Sequence, residues 1–288
     1  MTDNMNIQWY PGHMTKTRRQ IEADLKLVDA VCEIVDARIP VSSRNPDIDV
    51  ICGDKPRMIV LNRMDLADPA ATKKWAEYFR RKGMAVIATD CKSKKGISAF
   101  TPAARLACAE KLERDAKRGM NRPLRVMVVG IPNVGKSTLI NQISGRKSAK
   151  AENRPGVTRG KQWVTVDSGL QLLDTPGILW PKFEDPEVGM MLAYTGAVKE
   201  GVIDLEELAY RLMELLHKFY PQTLLERYKV EAPEGTPGWQ LLEMAARKRG
   251  YLVSGGEVNT ERMAKVLLDE FRSGKLGNFT LEMPEDMV

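Results

Sequence analysis

The chain has 288 residues, of which 43% are hydrophobic and 28% are charged, and this composition excludes a fibrous or largely disordered protein. Lysine and arginine exceed aspartate and glutamate by 44 to 38, which gives a net charge of +6. The basic residues are concentrated in residues 72–95 and 146–161. Such patches are compatible with a nucleic-acid partner and equally with a solvated surface.

The sequence does not indicate a membrane, secreted or metal-thiolate protein. No apolar run approaches the roughly 18 residues that a membrane span requires, so we expect no membrane association. The N-terminal segment has the composition of neither a signal peptide nor a transit peptide. The cysteines form no C-x-x-C pair. We therefore expect a cytoplasmic protein with four reduced thiols, on Cys32, Cys52, Cys91 and Cys108.

Short apolar runs alternate with helix-like stretches through the first 180 residues or so. This repetition predicts a doubly wound α/β sheet of mainly parallel strands. The residues 167–169, Asp-Ser-Gly, predict a hairpin between the last two strands. Strands are predicted at 30–35, 58–61, 84–88, 124–129, 163–166 and 170–173, and helices at 72–82, at 98–118 and from 136 onward.

The pattern changes after Pro181. Residues 186–217 and 237–272 carry apolar residues at spacings of three and four, as amphipathic helices do. Strand-like runs are scarce there, and prolines mark the connections. We predict two domains, an α/β domain over residues 1–179 and an all-helical C-terminal domain over residues 180–288.

The most specific motif is G-I-P-N-V-G-K-S at residues 130–137, which follows a predicted strand and opens a predicted helix. Its glycines allow backbone N–H groups to surround phosphate oxygens at the helix N-terminus. Lys136 would reach the β- and γ-phosphates and act in catalysis, and Ser137 would bind Mg²⁺. The predicted phosphate site comprises Asn133, Val134, Gly135, Lys136, Ser137 and Thr138.

Two further segments are predicted to sense the γ-phosphate. Asp174 and Gly177 belong to a D-T-P-G motif that ends a predicted strand. The carboxylate would hold the Mg²⁺ shell, and the Gly177 N–H would contact the γ-phosphate. Thr158 lies in the segment P-G-V-T and would close on Mg²⁺ as a catalytic residue when the third phosphate is present; the alternative is an ordinary loop hydroxyl.

The segment N-R-M-D at residues 62–65 resembles the N-K-x-D guanine motif of GTPases, with Arg63 in place of lysine. The Asp65 carboxylate would accept hydrogen bonds from the ring N–H and the exocyclic amine of guanine, a donor pair that adenine lacks. Residues 89–91 end the next predicted strand, where the last base-side loop of GTPases would come, although the usual Ser-Ala is missing. The predicted base site comprises Asn62, Arg63, Asp65, Thr89, Asp90 and Cys91.

The order of these motifs is informative. In small GTPases the phosphate loop precedes the base-reading loops, whereas here residues 62–65 and 89–92 precede residues 130–137. A fold keeps the same site in space if the original N- and C-termini are joined and the chain begins and ends at a different loop. We therefore predict a P-loop GTPase domain of the α/β class with a circularly permuted motif order.

Three further segments resemble one particular family of permuted GTPases. W-Y-P-G-H-M at residues 9–14, D-A-R-I-P at 36–40 and S-R-N-P at 43–46 resemble the ribosome biogenesis GTPase A family. The resemblance implies GTP hydrolysis coupled to late assembly of the large ribosomal subunit. It also implies that the helical tail contacts ribosomal RNA, and Arg247, Lys248 and Arg249 would suit that role. The expected partners are GTP and GDP, the large-subunit precursor and its ribosomal RNA; the oligomeric state is left open, with a monomer expected.

Two positions predict unusual catalytic chemistry. Ile178 stands where Ras-like GTPases carry a water-orienting glutamine, and its side chain cannot form a hydrogen bond. His13 is the candidate replacement, because the resembling family has its proposed catalytic histidine in the same P-G-H-M context; alternatively, His13 packs or contacts RNA. Asn133 stands four residues before Ser137, where potassium-stimulated GTPases have an asparagine, so it would hold K⁺ or, alternatively, brace the loop.

Two rival classes are compatible with parts of the sequence. A nucleotide-gated RNA-binding scaffold with negligible turnover would share the same motifs. A metabolic P-loop kinase would share only the phosphate loop, and the guanine motif and D-T-P-G argue against it. Asp36 and Arg38 end a predicted strand at the edge where ligands of α/β sheets bind, and they form either a ligand site or a structural ion pair.

Overall fold

The structure is a computed structural model that describes residues 19–145, 162–175, 186–198 and 204–287. Within these ranges, none of the helices combines the length and the hydropathy that crossing a membrane requires.

The α/β part is built on six strands, which are β1 (Ala30–Asp36), β2 (Arg57–Asn62), β3 (Ala85–Thr89), β4 (Leu124–Val129), β5 (Gln162–Asp167) and β6 (Leu170–Asp174). Their order in the sheet is β3-β2-β1-β4-β6-β5. All neighbours are parallel except β5 and β6, which form the predicted antiparallel hairpin. The chain runs outward from β1 to β3 and then returns to β4 on the other side of β1. This reversal between β1 and β4 is where open α/β sheets bind ligands.

The central strands β1, β2 and β4 are largely buried on both faces, whereas most of β5 at the edge of the sheet is exposed. Every residue of β1 is buried, and its alternate side chains belong to different apolar clusters, with Ile34 on one face and Val31 on the other. Helical residues 19–25 contribute Ile21 and Leu25 to the cluster of Val31. Burial on both faces explains why the strands read as continuous apolar runs in the sequence.

Besides the helical residues 19–25, five helices of the described part accompany the strands, namely α1 (Asp47–Cys52), α2 (Pro69–Arg81), α3 (Phe100–Ala107), α4 (Ala109–Lys117) and α5 (Lys136–Ser144). The single helix expected over residues 98–118 is wrong, because α3 and α4 are separate and follow a 3₁₀ turn at Ile97–Ala99. Cys108 breaks the helix with φ −109° and ψ 18° and is buried. Phe100 packs into the core from α3, whereas α4 has no fully buried side chain. The break therefore separates α3, which packs into the core, from α4, which is largely exposed.

The described C-terminal part is helical, as predicted, and contains α6 (Pro186–Thr195), α7 (Leu205–Phe219), α8 (Pro221–Tyr228), α9 (Gly238–Lys248) and α10 (Thr260–Ser273). Pro221 follows the one-residue connection between α7 and α8 and opens α8 in the first helical turn, where no N–H is needed. At Gly238, an added Cβ would lie 2.0 Å from the carbonyl oxygen of Tyr210. The start of α9 therefore approaches α7 as closely as a glycine permits.

The chain after α10 returns to the α/β part, and we call residues 276–285 the return segment. Its Phe279 stacks on Phe271 of α10 with ring centroids 5.7 Å apart and meets the edge of Tyr220 at 5.0 Å. Near its end, Glu285 forms an exposed ion pair with Lys74 of α2 at 2.9 Å. The segment thus bridges the helical part and the sheet.

Candidate nucleotide-binding site

The phosphate loop lies between β4 and α5, at the point where the strand order reverses. At two of its glycines, neighbouring atoms leave no room for a side chain. A Cβ at Gly130 would lie 2.8 Å from the carbonyl oxygen of Ile34, and a Cβ at Gly135 would lie 2.3 Å from Nδ2 of Asn62. Gly135 also has φ +104° and offers no side-chain cap to α5. The first N–H groups of α5 are therefore without a capping side chain, and they suit a phosphate.

Lys136 and Asp174 lie in direct contact, although 38 positions separate them in the sequence. The Lys136 ammonium donates hydrogen bonds to Oδ1 of Asp174 and to the carbonyl oxygen of Thr175. Both charged side chains are buried. The Thr175 hydroxyl donates to the carbonyl oxygen of Val128 at 2.9 Å, which connects Thr175 to β4. The structure thus brings together the phosphate-loop lysine and the aspartate that were predicted to serve one site.

Asn62 connects the predicted base site with the phosphate loop. From the end of β2, its Nδ2 donates to the carbonyl oxygen of Val134 at 2.8 Å. Its Oδ1 accepts a hydrogen bond from the Thr89 hydroxyl at 3.1 Å. The Cys91 N–H donates to the same oxygen at 3.4 Å. One buried amide side chain at the end of β2 is therefore bonded to the phosphate loop and to the loop after β3 at the carboxyl edge of the sheet.

Arg63 adds a second connection. Its Nη2 donates to the carbonyl oxygen of Asn133 at 2.7 Å, and its Nε lies 3.7 Å from Oδ2 of Asp36. Burial lowers the pKa of Arg63, and the nearby Asp36 opposes this effect. A guanidinium can contact two partners in this way because its donors are spread over a planar fork. Arginine in place of the usual lysine therefore remains compatible with the motif.

Asp36 and Arg38 form a buried ion pair. Oδ1 of Asp36 accepts hydrogen bonds from the backbone N–H and Nε of Arg38 at 3.0 and 2.9 Å, and Oδ2 accepts from Nη2 at 2.7 Å. Burial would raise the pKa of Asp36, but the charges and hydrogen bonds of Arg38 and Arg63 outweigh it and lower the pKa. The Arg38 guanidinium also lies 5.6 Å from the ring centroid of Phe271. The geometry favours the structural ion pair over a ligand site.

The remaining described site residues lie at the same edge. Asp65 is exposed in the loop after β2, and Met64 N–H donates to the carbonyl oxygen of Thr89 at 3.1 Å. The Asp90 carboxylate accepts from the N–H of Lys92 at 2.8 Å, which shapes the loop after β3. Ser137 and Thr138 are half-buried in the first turn of α5. Three predicted residues lie outside the described residues, and they are His13, Thr158 and Gly177.

Asn133 makes a contact that sequence reasoning missed. It has φ +61°, and its side-chain Nδ2 lies 3.4 Å from the carbonyl oxygen of Gly196, just after α6. The end of α6 is held in turn by Arg272 of α10, which donates to the carbonyl oxygens of Tyr194 and Ala193 at 3.0 and 2.7 Å. The phosphate loop is thereby connected to the helical part.

The donor set at the phosphate site fits Mg²⁺. The Ser137 hydroxyl and the Asp174 carboxylate are hard oxygen donors, the type that Mg²⁺ prefers. No group of three or more His, Cys, Asp or Glu side chains that could hold a metal occurs in the described ranges. Few protein ligands are expected for an ion that also binds substrate phosphates and water.

A phosphate loop, a D-T-P-G aspartate and a guanine-type loop on one edge of a parallel sheet define a GTPase, here with a permuted motif order. Residues 125–220 match the family described as 50S ribosome-binding GTPase. Ribosome biogenesis GTPase A from Priestia megaterium is 45% identical over 285 residues, which cover 98% of each chain.

Two solved structures are similar over nearly the whole chain. A GDP-bound structure of TM YlqF has a TM-score of 0.67 at 30% identity and covers 93% of this chain and 100% of that one. A GNP-bound structure of YlqF from T. maritima has a TM-score of 0.62 at 29% identity and covers 94% and 99%. The chain therefore belongs to the ribosome biogenesis GTPase A family. It is an enzyme that hydrolyses GTP, and Mg²⁺ accompanies the nucleotide as in GTPases generally.

Proposed function

We propose that this GTPase binds precursors of the large ribosomal subunit in the cytoplasm and couples GTP hydrolysis to their late assembly. The Priestia megaterium relative, which matches nearly the full length of the chain, is named ribosome biogenesis GTPase A, and the matched family is described as 50S ribosome-binding. The observation that carries the proposal is the pair of contacts from the nucleotide loops to the helical part, at Gly196 and through the return segment. A change at the nucleotide can thereby reach the surface that would bind RNA.

In this proposal the predicted residues divide between base, phosphate and Mg²⁺ binding. Asn62, Arg63 and Asp65 would bind guanine together with residues 89–91, and residues 133–138 would bind the phosphates. Lys136 would exchange its contact with Asp174 for the β- and γ-phosphates. Mg²⁺ would then be held by Ser137, Asp174 and Thr158, and Gly177 would contact the γ-phosphate. Mg²⁺ supplies charge neutralisation at the transferred phosphate.

The helical part, proposed as a domain over residues 180–288, would contact ribosomal RNA. Arg247 and Lys248 at the end of α9 are exposed and suited to phosphate contacts. Arg249 is partly engaged within the protein, because it lies 5.1 Å from the ring centroid of Tyr228 and 3.7 Å from Glu270. We therefore assign the RNA contact to Arg247 and Lys248 and a structural role to Arg249.

The proposal is tested by GTP turnover of the purified protein, measured with and without large-subunit precursor particles. Strong stimulation by the particles, and co-sedimentation that differs between a GTP analogue and GDP, are the expected results. Arg247→Ala with Lys248→Ala should weaken co-sedimentation and leave GDP affinity unchanged. Particles that bind without stimulating turnover would instead indicate a nucleotide-gated scaffold.

A further inference from the structure

The loop that carries Asp65 is held by the far end of the chain. The side-chain Nδ2 of Asn278, in the return segment, donates to the carbonyl oxygen of Asp65 at 2.6 Å and to that of Ala67 at 3.3 Å. The next residue, Phe279, donates its N–H to the carbonyl oxygen of Leu66 at 2.9 Å. Three consecutive carbonyl groups of the base-reading loop are thus bonded to two consecutive residues of the return segment.

Thr280 continues this arrangement. Its hydroxyl accepts a hydrogen bond from the N–H of Asp68 at 3.2 Å and donates to the carbonyl oxygen of Ala37 at 3.2 Å. Ala37 and Asp68 belong to the loops that follow β1 and β2. The return segment is therefore hydrogen-bonded to both of these neighbouring loops.

The return segment is itself firmly held by the helical part. Besides the ring contacts of Phe279, the Tyr220 hydroxyl donates to the carbonyl oxygen of Thr280 at 2.9 Å and accepts from its N–H at 3.1 Å. The C-terminal end of α10 also touches the base-reading loop, because a Cβ at Gly274 would lie 2.6 Å from Cδ2 of Leu66. A support anchored in this way can fix the position of the loop that it contacts.

The base-reading loop depends on such support. Arg63 takes φ +60°, and Asp65 is exposed, so local sequence and burial do little to fix the Asp65 carboxylate. Reading two N–H groups of one base requires that carboxylate to keep a defined direction, because displaced hydrogen bonds weaken steeply. The Asn278 contact acts on the carbonyl of Asp65 itself.

We propose that Asn278 is a positioning residue for guanine selectivity, which acts by fixing the backbone of Asp65 so that its carboxylate meets both N–H groups of the base. This inference rests on the proposed role of Asp65 in base recognition. It makes the C-terminal segment of the chain part of the nucleotide site.

The test compares affinities for GDP and IDP, whose hypoxanthine base keeps the ring N–H and lacks the exocyclic amine. Asn278→Ala and the isosteric Asn278→Asp, which cannot donate to the two carbonyl oxygens, should weaken GDP binding about tenfold. IDP binding should weaken about threefold or less, because one of the two base contacts is already missing. The ratio of the two affinities should therefore fall in both variants. Asn278 is exposed, so both variants are expected to fold, and thermal unfolding checks this.

Lys275→Ala is the matched control, because it removes an exposed side chain immediately before the return segment and should leave the ratio unchanged. Equal weakening of GDP and IDP in both Asn278 variants would mean a merely structural contact and would overturn the inference, as would unchanged binding. Asp65→Asn separates the two assignments. If Asp65→Asn relaxes guanine selectivity and the Asn278 variants do not, only the role of Asn278 is wrong; if Asp65→Asn preserves selectivity, both roles are wrong.

Discussion

Glu270 of α10 is a buried carboxylate that joins neighbouring helices. It accepts hydrogen bonds from two nitrogens of Arg227 and from the Tyr228 hydroxyl, the latter at 2.8 Å, and Arg249 lies nearby. The hydrogen bonds from Arg227 lower the pKa of Glu270, with Tyr228 and the charges of both arginines adding to the effect against burial. A lowered pKa in the folded state means that the ionised carboxylate contributes to stability.

We predict that Glu270→Gln lowers the free energy of unfolding at pH 7 by about 1–3 kcal/mol, because hydrogen bonds to a charged group are lost. The wild-type advantage is fully present above the unfolded-state pKa of about 4.3 and is lost as the pH falls through the lower folded-state pKa. Urea unfolding at pH 7, 5 and 3.5 should show the difference shrinking at the acid end. Glu261→Gln, which breaks an exposed pair with Lys265 on the same helix, should change stability by less than about 0.5 kcal/mol. A difference that does not depend on pH would contradict the assignment.

At Asn133, the structure constrains the proposed potassium site. The Nδ2 of its amide points toward Gly196, and the K⁺ hypothesis requires the Oδ1 of the same amide. We predict that particle-stimulated turnover is several-fold faster in K⁺ than in Na⁺ and that Asn133→Ala removes this difference. Turnover in the two salts at equal ionic strength is the measurement. Equal rates in K⁺ and Na⁺ for the wild-type protein would leave Asn133 with the role of bracing the loop.

His13 lies outside the described residues, and its catalytic role stays a prediction. We expect His13→Ala to keep GTP affinity and particle binding while lowering particle-stimulated turnover by at least about tenfold, which corresponds to roughly 1.4 kcal/mol of barrier. Single-turnover hydrolysis on saturating particles measures this directly, and His217→Ala is the control histidine variant. If stimulated hydrolysis survives in His13→Ala, a ribosomal group supplied in trans is the better candidate for positioning water.

At the level of secondary structure, the features that depend on a few neighbouring residues could be predicted from the sequence. The sequence pattern located the strands to within one residue at each end, because buried parallel strands appear as apolar runs and the turn residues 167–169 marked the hairpin that contains β5. The G-K-S and N-R-M-D motifs stand after β4 and β2, as their sequence context predicted, and their roles at phosphate and base stay predictions. The break at Cys108 could not be predicted, because it depends on the core that Cys108 enters rather than on any helix-breaking residue. The contacts of Asn278 left no local signal, because an asparagine before an aromatic residue is common in loops.

The junction between α10 and the base-reading loop offers a test of element packing. Gly274 ends α10 with φ +77°, and the added methyl of Gly274→Ala would press on Leu66, directly after Asp65. We predict a loss of about 1 kcal/mol in stability from the backbone strain, together with weakened GDP binding because Leu66 must move. Gly250→Ala is the matched control, with φ +68° and no atom within 4 Å of the added Cβ. It should lose similar stability and keep its GDP affinity, as thermal unfolding and nucleotide titration can show. Equal GDP affinity in the two variants would mean that Leu66 does not transmit the strain.

On the scale of the whole molecule, the reactivity of the cysteine thiols is a measure of global unfolding. All four are free and buried, and burial raises the pKa of the Cys52, Cys91 and Cys108 thiols to about 11 and that of Cys32 further. At pH 8 about one thiol in a thousand would be ionised at such a pKa, and thiolate is the reactive form.

We predict that a thiol-specific disulfide reagent modifies the folded protein slowly and modifies four thiols promptly in guanidinium chloride. GDP should slow the reaction further in the wild-type protein, because Cys91 lies in the loop that contacts Asn62. Cys91→Ser should lose this additional protection. A prompt reaction of the folded protein would instead reveal local opening, and comparison with Cys91→Ser would show whether Cys91 is the residue exposed.

The return segment also sets an order of events during synthesis of the chain. Asn278 follows Asp65 by 213 positions, so at about 5–20 residues per second the ribosome adds it roughly 10 to 40 s after the loop that it supports. Until then the base-reading loop of the nascent chain lacks the hydrogen bonds from Asn278. We expect such a chain to be less selective for guanine over other bases than the finished protein. A chain truncated before Asn278 would remain in that state. If Asn278 has the proposed role, full guanine selectivity therefore arises only after Asn278 has been added to the chain and has reached the carbonyl oxygen of Asp65.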